Sequence, residues 1–263
     1  MRKISLTDGR MSVEILPDCG GAISALRWLS PDGKRVDLLR PASAEDILTR
    51  NADQMSCIPI SPVAGPTQEV SEWIVQDASN IRATLTLHTE PHENAAPHSG
   101  YQLLQRFRLG PDGLSIQFTL TNIGVNSMFA RIGLRLRPDW RGNSVLRGAL
   151  MQMDAAKRES HAPSCDELAA GYRLSSQDIH ACLRYQGKPV RYEWPEERLA
   201  LVLGQLTGFE YVGVTYKASH PAIRLSLLSH PDMDSFAFPG TSPLQRGDSL
   251  SATLLLSAAI LAA

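Results

Sequence analysis

The sequence lacks a surplus of either charge: 26 Lys and Arg stand against 27 Asp and Glu in 263 residues. No field of one sign is therefore available to recruit nucleic acid or an anionic membrane. It also lacks a long apolar run. The opening MRKISLTDGR turns polar at once and does not read as a signal peptide. The C-terminal LSATLLLSAAILAA is too short, and too broken by Ser and Thr, to span a bilayer, and reads as a closing core strand. Cysteine is sparse: Cys19, Cys57, Cys165 and Cys182 stand apart with no C-x-x-C pair. That argues against zinc and fits reduced thiols in the cytoplasm. Missing too are the phosphate loop, the G-x-G-x-x-G fingerprint, the G-x-S-x-G elbow, H-E-x-x-H and the EF-hand run, so those chemistries have no support. His88-Thr-Glu-Pro-His92 has two imidazoles at metal-pair spacing, but Pro91 breaks the helix that would align them. The plain reading there is a solvated loop.

What is present is period-two alternation. Leu114-Ser-Ile-Gln-Phe-Thr-Leu120 alternates without a break, and Ile81-Arg-Ala-Thr-Leu-Thr-Leu87 nearly does. Such strands bury one face and leave the other to water or a groove. Further strands are predicted over Ser12–Leu16, Leu103–Leu109, Met128–Leu136, Leu199–Leu203, Tyr211–Tyr216, Ala222–Leu228 and Leu250–Leu256. Turn chemistry punctuates them at Pro31-Asp-Gly33, Gly110-Pro-Asp-Gly113, Asn122-Ile-Gly124 and Pro239-Gly240. Helical signals are few: Ser43 before Asp46 and Ser164 before Glu167 are N-cap pairs for one or two turns. With 43% hydrophobic and 20% charged residues and no repeat or long linker, the chain reads as one all-β domain over residues 1–263, a large antiparallel β-sandwich with one or two short helices.

The order of segments resembles the aldose 1-epimerase (galactose mutarotase) family. Ile15-Leu-Pro-Asp-Cys-Gly-Gly-Ala-Ile-Ser-Ala-Leu26 is similar to its opening strand, glycine pair and return strand. Ser56-Cys-Ile-Pro-Ile-Ser-Pro62 resembles its F-P-L-x-P segment, and Leu114–Asn122 with Ala130-Arg-Ile-Gly133 resembles the strands before its G-x-H-P-Y-F. Ile179–Pro195 is similar to a stretch ending in a tryptophan-proline strand. Ser229-His230 and Gln245–Ala252 are similar to its S-H and closing P-G-E-S strand. The resemblance implies a two-sheet sandwich whose concave face holds a sugar. It also implies a cofactor-free reaction in which a carboxylate deprotonates the anomeric hydroxyl while a histidine protonates the ring oxygen.

Carried over position by position, that machinery changes. The family's asparagine-arginine pair falls on Ala64-Gly65, and the chain before Trp73 is too short for its extra hairpin and histidine-glycine motif. The acid position is Arg135, and an arginine does not serve as a general acid near neutrality. The base position is Ser226, which has no basicity without a partner. Asp178 aligns with the sugar-binding aspartate. Each missing half is worth typically ~10²–10⁴ in rate, so the fold is expected and the family's mechanism is not.

Read as one strand, Met128–Arg137 places Arg131, Arg135 and Arg137 on one face with Phe129 and Gly133. Guanidinium forks suit carboxylate or phosphate, so an acidic or phosphorylated carbohydrate is the expected ligand, against the competing reading of a solvated strand face. His98 and Tyr101 lie where the family runs along its cleft rim, and Tyr101 offers a ring to a sugar; a rim loop without function competes. Trp194 reads better as a buried tryptophan at a strand end than as a ligand contact. Asp154 and Glu159 are surface charges or relocated bases. In LLSHPDMDSF, Ser229 and His230 are expected on opposite strand faces and so not as a nucleophile and base. Asp232 and Asp234 leave a metal open but are few for one. Two rivals to a sugar isomerase remain: a site rebuilt around Arg135, His230 and Asp232 for an acidic sugar, and a non-catalytic sensor or protein-binding sandwich.

Overall fold

The computed structural model describes residues 1–49, 51, 54–60, 73–89, 100–152, 162–174, 177–219, 221–230 and 242–262. Its elements follow the alternation of the sequence. The first strands are β1 (Ile4–Thr7), β2 (Met11–Leu16), β3 (Ala22–Leu29), β4 (Arg35–Asp37) and β5 (Cys57–Ile60). Next come β6 (Ile74–Ala78), β7 (Arg82–Thr89), β8 (Tyr101–Gly110), β9 (Gly113–Asn122) and β10 (Gly133–Leu136). The later strands are β11 (Val145–Arg147), β12 (Leu150–Gln152), β13 (Tyr172–Arg173), β14 (Ile179–Tyr185) and β15 (Val190–Trp194). The chain closes with β16 (Leu199–Thr207), β17 (Tyr211–Lys217), β18 (Ala222–Leu228) and β19 (Ser249–Ile260).

Among the described residues these strands form two antiparallel sheets. One has ten strands in the order β1-β2-β3-β5-β10-β18-β17-β14-β12, with β4 paired to β3. The other has nine, in the order β13-β11-β15-β16-β19-β9-β8-β7-β6. Alternate side chains of both sheets meet in one core that includes Leu134, Leu225 and Val214 from the first sheet and Phe118, Leu201 and Leu254 from the second. The expected antiparallel sandwich is thus the fold. The C-terminal run is β19, a central strand held between β16 and β9.

Two short helices are present, α1 (Ala44–Leu48) and α2 (Cys165–Ala170). Ser43 and Ser164 cap them, each accepting from the backbone N–H three residues on while that residue's carboxylate answers the cap N–H. A second, smaller apolar cluster of Leu16, Cys19, Ala22, Met55 and Ile58 packs with Ile47 of α1, beside the β2-β3-β5 part of the ten-stranded sheet. No described helix is long and apolar enough to cross a membrane.

Two expectations are corrected here. The predicted strand Met128–Leu136 is a strand only from Gly133; Met128 instead makes an isolated bridge to Leu244. The alternation over 128–132 is satisfied by burial of Met128 and Ile132 without a continuous ladder. His88 lies on β7 with its imidazole exposed near Gln102, not in a loop; His92 falls outside the described residues. The turns at Gly33 and Gly124 form as expected, closed by Gly33 N–H to the Ser30 carbonyl and Gly124 N–H to the Asn122 side chain. Pro239-Gly240 lies outside the described residues.

Candidate functional site

Strand register brings together two positions 91 residues apart in sequence. Arg135 of β10 pairs directly with Ser226 of β18, and Ser226 pairs on its other side with Gly213 of β17. Gly213 in turn pairs with Cys182 of β14, and Arg135 with Ile58 of β5. Residues directly opposite share a face, so these five form one row on the side of the sheet turned away from the core. Their strand neighbours Leu134, Leu225, Leu227 and Val214 point the other way and are fully buried. Arg135, Ser226, Gly213 and Cys182 are half-buried, whereas His180 and Arg184 at the β14 margin are exposed. The centre of this face is therefore lower than that margin.

Gly213 deepens it. A β-carbon there would lie 3.2 Å from the Ser226 β-carbon, in a row otherwise carrying side chains. Glycine inside a strand weakens it, and it commonly marks a place where a ligand or another backbone approaches closely. The result is a hollow where the row carries no side chain, between Cys182 and Ser226, with Ser226 close on one side. On the far side, Ile58 and the cluster under α1 form an apolar shoulder.

The three arginines read as one surface do not share one environment. Arg135 is half-buried in the row, while Arg131 and Arg137 are buried at 8% and 5% exposure. The Arg137 guanidinium donates to the Gln54 carbonyl at 2.5 Å, and its backbone N–H to the Ser56 carbonyl. Arg131 precedes β10 and stands by His230 at the end of the sheet. The premise that Arg131, Arg135 and Arg137 share one face of a continuous strand is thus corrected: the strand covers only Gly133–Leu136, so of the three only Arg135 lies on it.

A second correction concerns Ser229 and His230. β18 ends at Leu228, so the two residues sit in the bend beyond it and need not alternate. The Ser229 Oγ lies 2.9 Å from the His230 Nδ1 and also accepts the Ile132 N–H at 3.0 Å. Burial depresses the His230 pKa; Glu210 opposes that shift and Arg131 adds to it. The serine is buried, which suits it to orienting the imidazole rather than to attacking a substrate.

The remaining candidates scatter. Asp178 immediately precedes β14 and accepts the Ala218 N–H at 2.8 Å, at the margin of the same face. Tyr101 begins β8 in the other sheet, with its ring in the core and its phenol pKa raised by burial. A stacking role for it does not fit, since both faces of the sandwich interior are packed. Trp194 is buried at the end of β15, its Nε1 donating to the Asp139 carbonyl. His98, Asp154, Glu159, Asp232, Asp234 and Ala64-Gly65 lie outside the described residues. Among the described residues no group of three or more His, Cys, Asp or Glu side chains is placed to hold a metal ion.

Sequence reasoning passed over Arg224 and His180. Arg224 pairs with Thr215, and Thr215 with His180, forming the row next to Ser226. The signal was available: alternation in Ala222–Leu228 puts Arg224 with Ser226, and alternation in Ile179–Tyr185 puts His180 with Cys182.

Neither a family profile nor a curated protein matches the sequence. Solved structures do match the fold. An aldose epimerase homologue from Caenorhabditis elegans superposes with a TM-score of 0.78 at 12% identity, covering 99% of each chain. A galactose mutarotase-like protein from Clostridium acetobutylicum gives 0.76 at 15%, covering 98% of this chain and 95% of that one. Another from Lactobacillus casei gives 0.75 at 15%, covering 98% and 100%. The architecture is that of the galactose mutarotase-like sandwich.

Proposed function

We propose that this galactose mutarotase-like sandwich binds an acidic or phosphorylated carbohydrate on the outer face of its ten-stranded sheet. One observation carries the reading: the hollow at Gly213, floored by strand backbone and flanked by Ser226 and Cys182, lies in the same cross-strand row as Arg135, with Ser226 between them. A monosaccharide needs a shallow recess with a few convergent polar groups, and this row provides one. The face is also cationic. Arg135, Arg184, Arg224 and Lys217 share it, and Asp178 is engaged with the Ala218 N–H.

The same geometry argues against the family's reaction at these positions. Arg135 and Ser226 face each other across one strand gap, which suits positioning of a hydroxyl or an anion, but neither group exchanges a proton as that mechanism requires. A second reading, an isomerase with a rebuilt acid, has one observation in its favour: the imidazole of His230 held by Ser229. Polarimetry separates the two, since binding alone leaves the spontaneous anomerisation rate unchanged.

Calorimetric titration with glucose, glucuronate and glucose 6-phosphate tests the reading, using wild type and Gly213→Ala. The added methyl group fills the hollow and requires a shift of only a few tenths of an ångström at Ser226. Weakened binding of every sugar with an unchanged melting temperature is expected. Binding of none by the wild type, or equal binding by both proteins, would overturn it.

A further inference from the structure

Next to the Gly213 hollow lies a row of three polar side chains that no part of the mutarotase comparison assigns. His180, Thr215 and Arg224 are consecutive partners across β14, β17 and β18. The Thr215 Oγ1 lies 3.4 Å from the His180 Nδ1. Arg224 and Thr215 are half-buried and His180 is exposed. Beyond Arg224 the neighbouring strand β10 ends at Leu136, and Arg137 just after it is buried with its guanidinium on the Gln54 carbonyl, whereas Arg224 is half-buried.

We propose that His180, Thr215 and Arg224 form a phosphate subsite, which seats the phosphate monoester of a sugar whose ring occupies the Gly213 hollow. This rests on the reading of that hollow as a carbohydrate site. The geometry favours phosphate over carboxylate. A carboxylate is planar, and a single guanidinium fork satisfies both its oxygens. Here the donors come from three adjacent strands, ~4.8 Å from one to the next. A hydroxyl, an imidazole and a guanidinium spread in this way match a tetrahedral group with three terminal oxygens. Rows on one face of a strand are ~6.8 Å apart. That places the anion beside the ring rather than beneath it, as an exocyclic phosphate requires. Lys217 flanks the row on β17, Arg184 stands on β14 beyond Cys182 on the far side of the Gly213 row, and Asp178 at the head of β14 accepts the Ala218 N–H.

The test is calorimetric titration of wild type, Arg224→Ala, Arg224→Lys and His180→Ala with glucose, glucose 6-phosphate, glucuronate and inorganic phosphate. Melting temperatures accompany each variant, and Arg224→Lys keeps the charge without the fork. In the wild type, glucose 6-phosphate is expected to bind more tightly than glucose or glucuronate. Arg224→Ala should lose roughly ten- to a hundredfold for the phosphate ester while glucose binds as before. Equal affinity for glucose and its phosphate, or an Arg224→Ala loss shared equally by both, would overturn the subsite and leave the carbohydrate reading standing. Glucuronate matching the phosphate ester would do the same. Inorganic phosphate binding as tightly as the ester would overturn the carbohydrate reading and leave the subsite. Absence of all binding would overturn both.

Discussion

His230 shows how a residue is governed by its surroundings more than by its type. Burial is the largest influence on its imidazole and lowers the pKa from the ordinary 6.5; Glu210 pulls it back up and Arg131 pushes it further down. Since the folded chain resists protonation there, the unfolded chain binds that proton more readily. The associated stability is fully present above pH 6.5 and is lost as pH falls through the lower folded value. A titration followed by NMR should find the His230 midpoint below 6.5 in the wild type and lower still in Glu210→Gln. A midpoint above 6.5, or one unmoved by the substitution, would remove Glu210 and burial as its determinants. The Ser229–His230 contact itself was hidden from the sequence. Alternation predicted opposite faces, and only the end of β18 at Leu228 releases the two residues from that rule.

Elements were more legible than their partners. The alternating run at 114–120 and the strand at 222–228 appear where hydrophobic period two places them, and both serine caps form as written. Pairing is a different kind of information. Nothing local in Gly133–Leu136 says that β18 lies on one side and β5 on the other, so the meeting of Arg135 with Ser226 came from resemblance rather than from periodicity. The β8–β9 hairpin illustrates a constraint legible only in part. Gly113 closes the Gly110–Gly113 turn, as its sequence suggests, but at φ 127° its missing side chain also makes room for the Leu256 carbonyl of β19. Gly113→Ala is therefore expected to destabilise by more than about 1 kcal/mol, because strain and collision act together. Urea denaturation would show this as a lower midpoint; an unchanged midpoint would mean that β19 shifts freely.

At the scale of the whole molecule, β19 joins the two parts of the nine-stranded sheet, pairing with β16 on one side and β9 on the other. Ala252, Leu254 and Leu256 fill the core from it. A chain ending before Ser249 would leave β9 and β16 as facing open edges, and is expected to be insoluble or to lack cooperative thermal unfolding by circular dichroism. A soluble, cooperative product would show that the remaining strands re-pair without it. The same placement has a consequence during translation. Ribosomes add about 5–20 residues per second, and for much of that interval the nascent chain would carry β9 and then β16 with their partner β19 not yet made. Closure of the nine-stranded sheet then waits on β19, and chaperone demand in the producing cell should track the delay before β19 emerges rather than the stability of the finished fold.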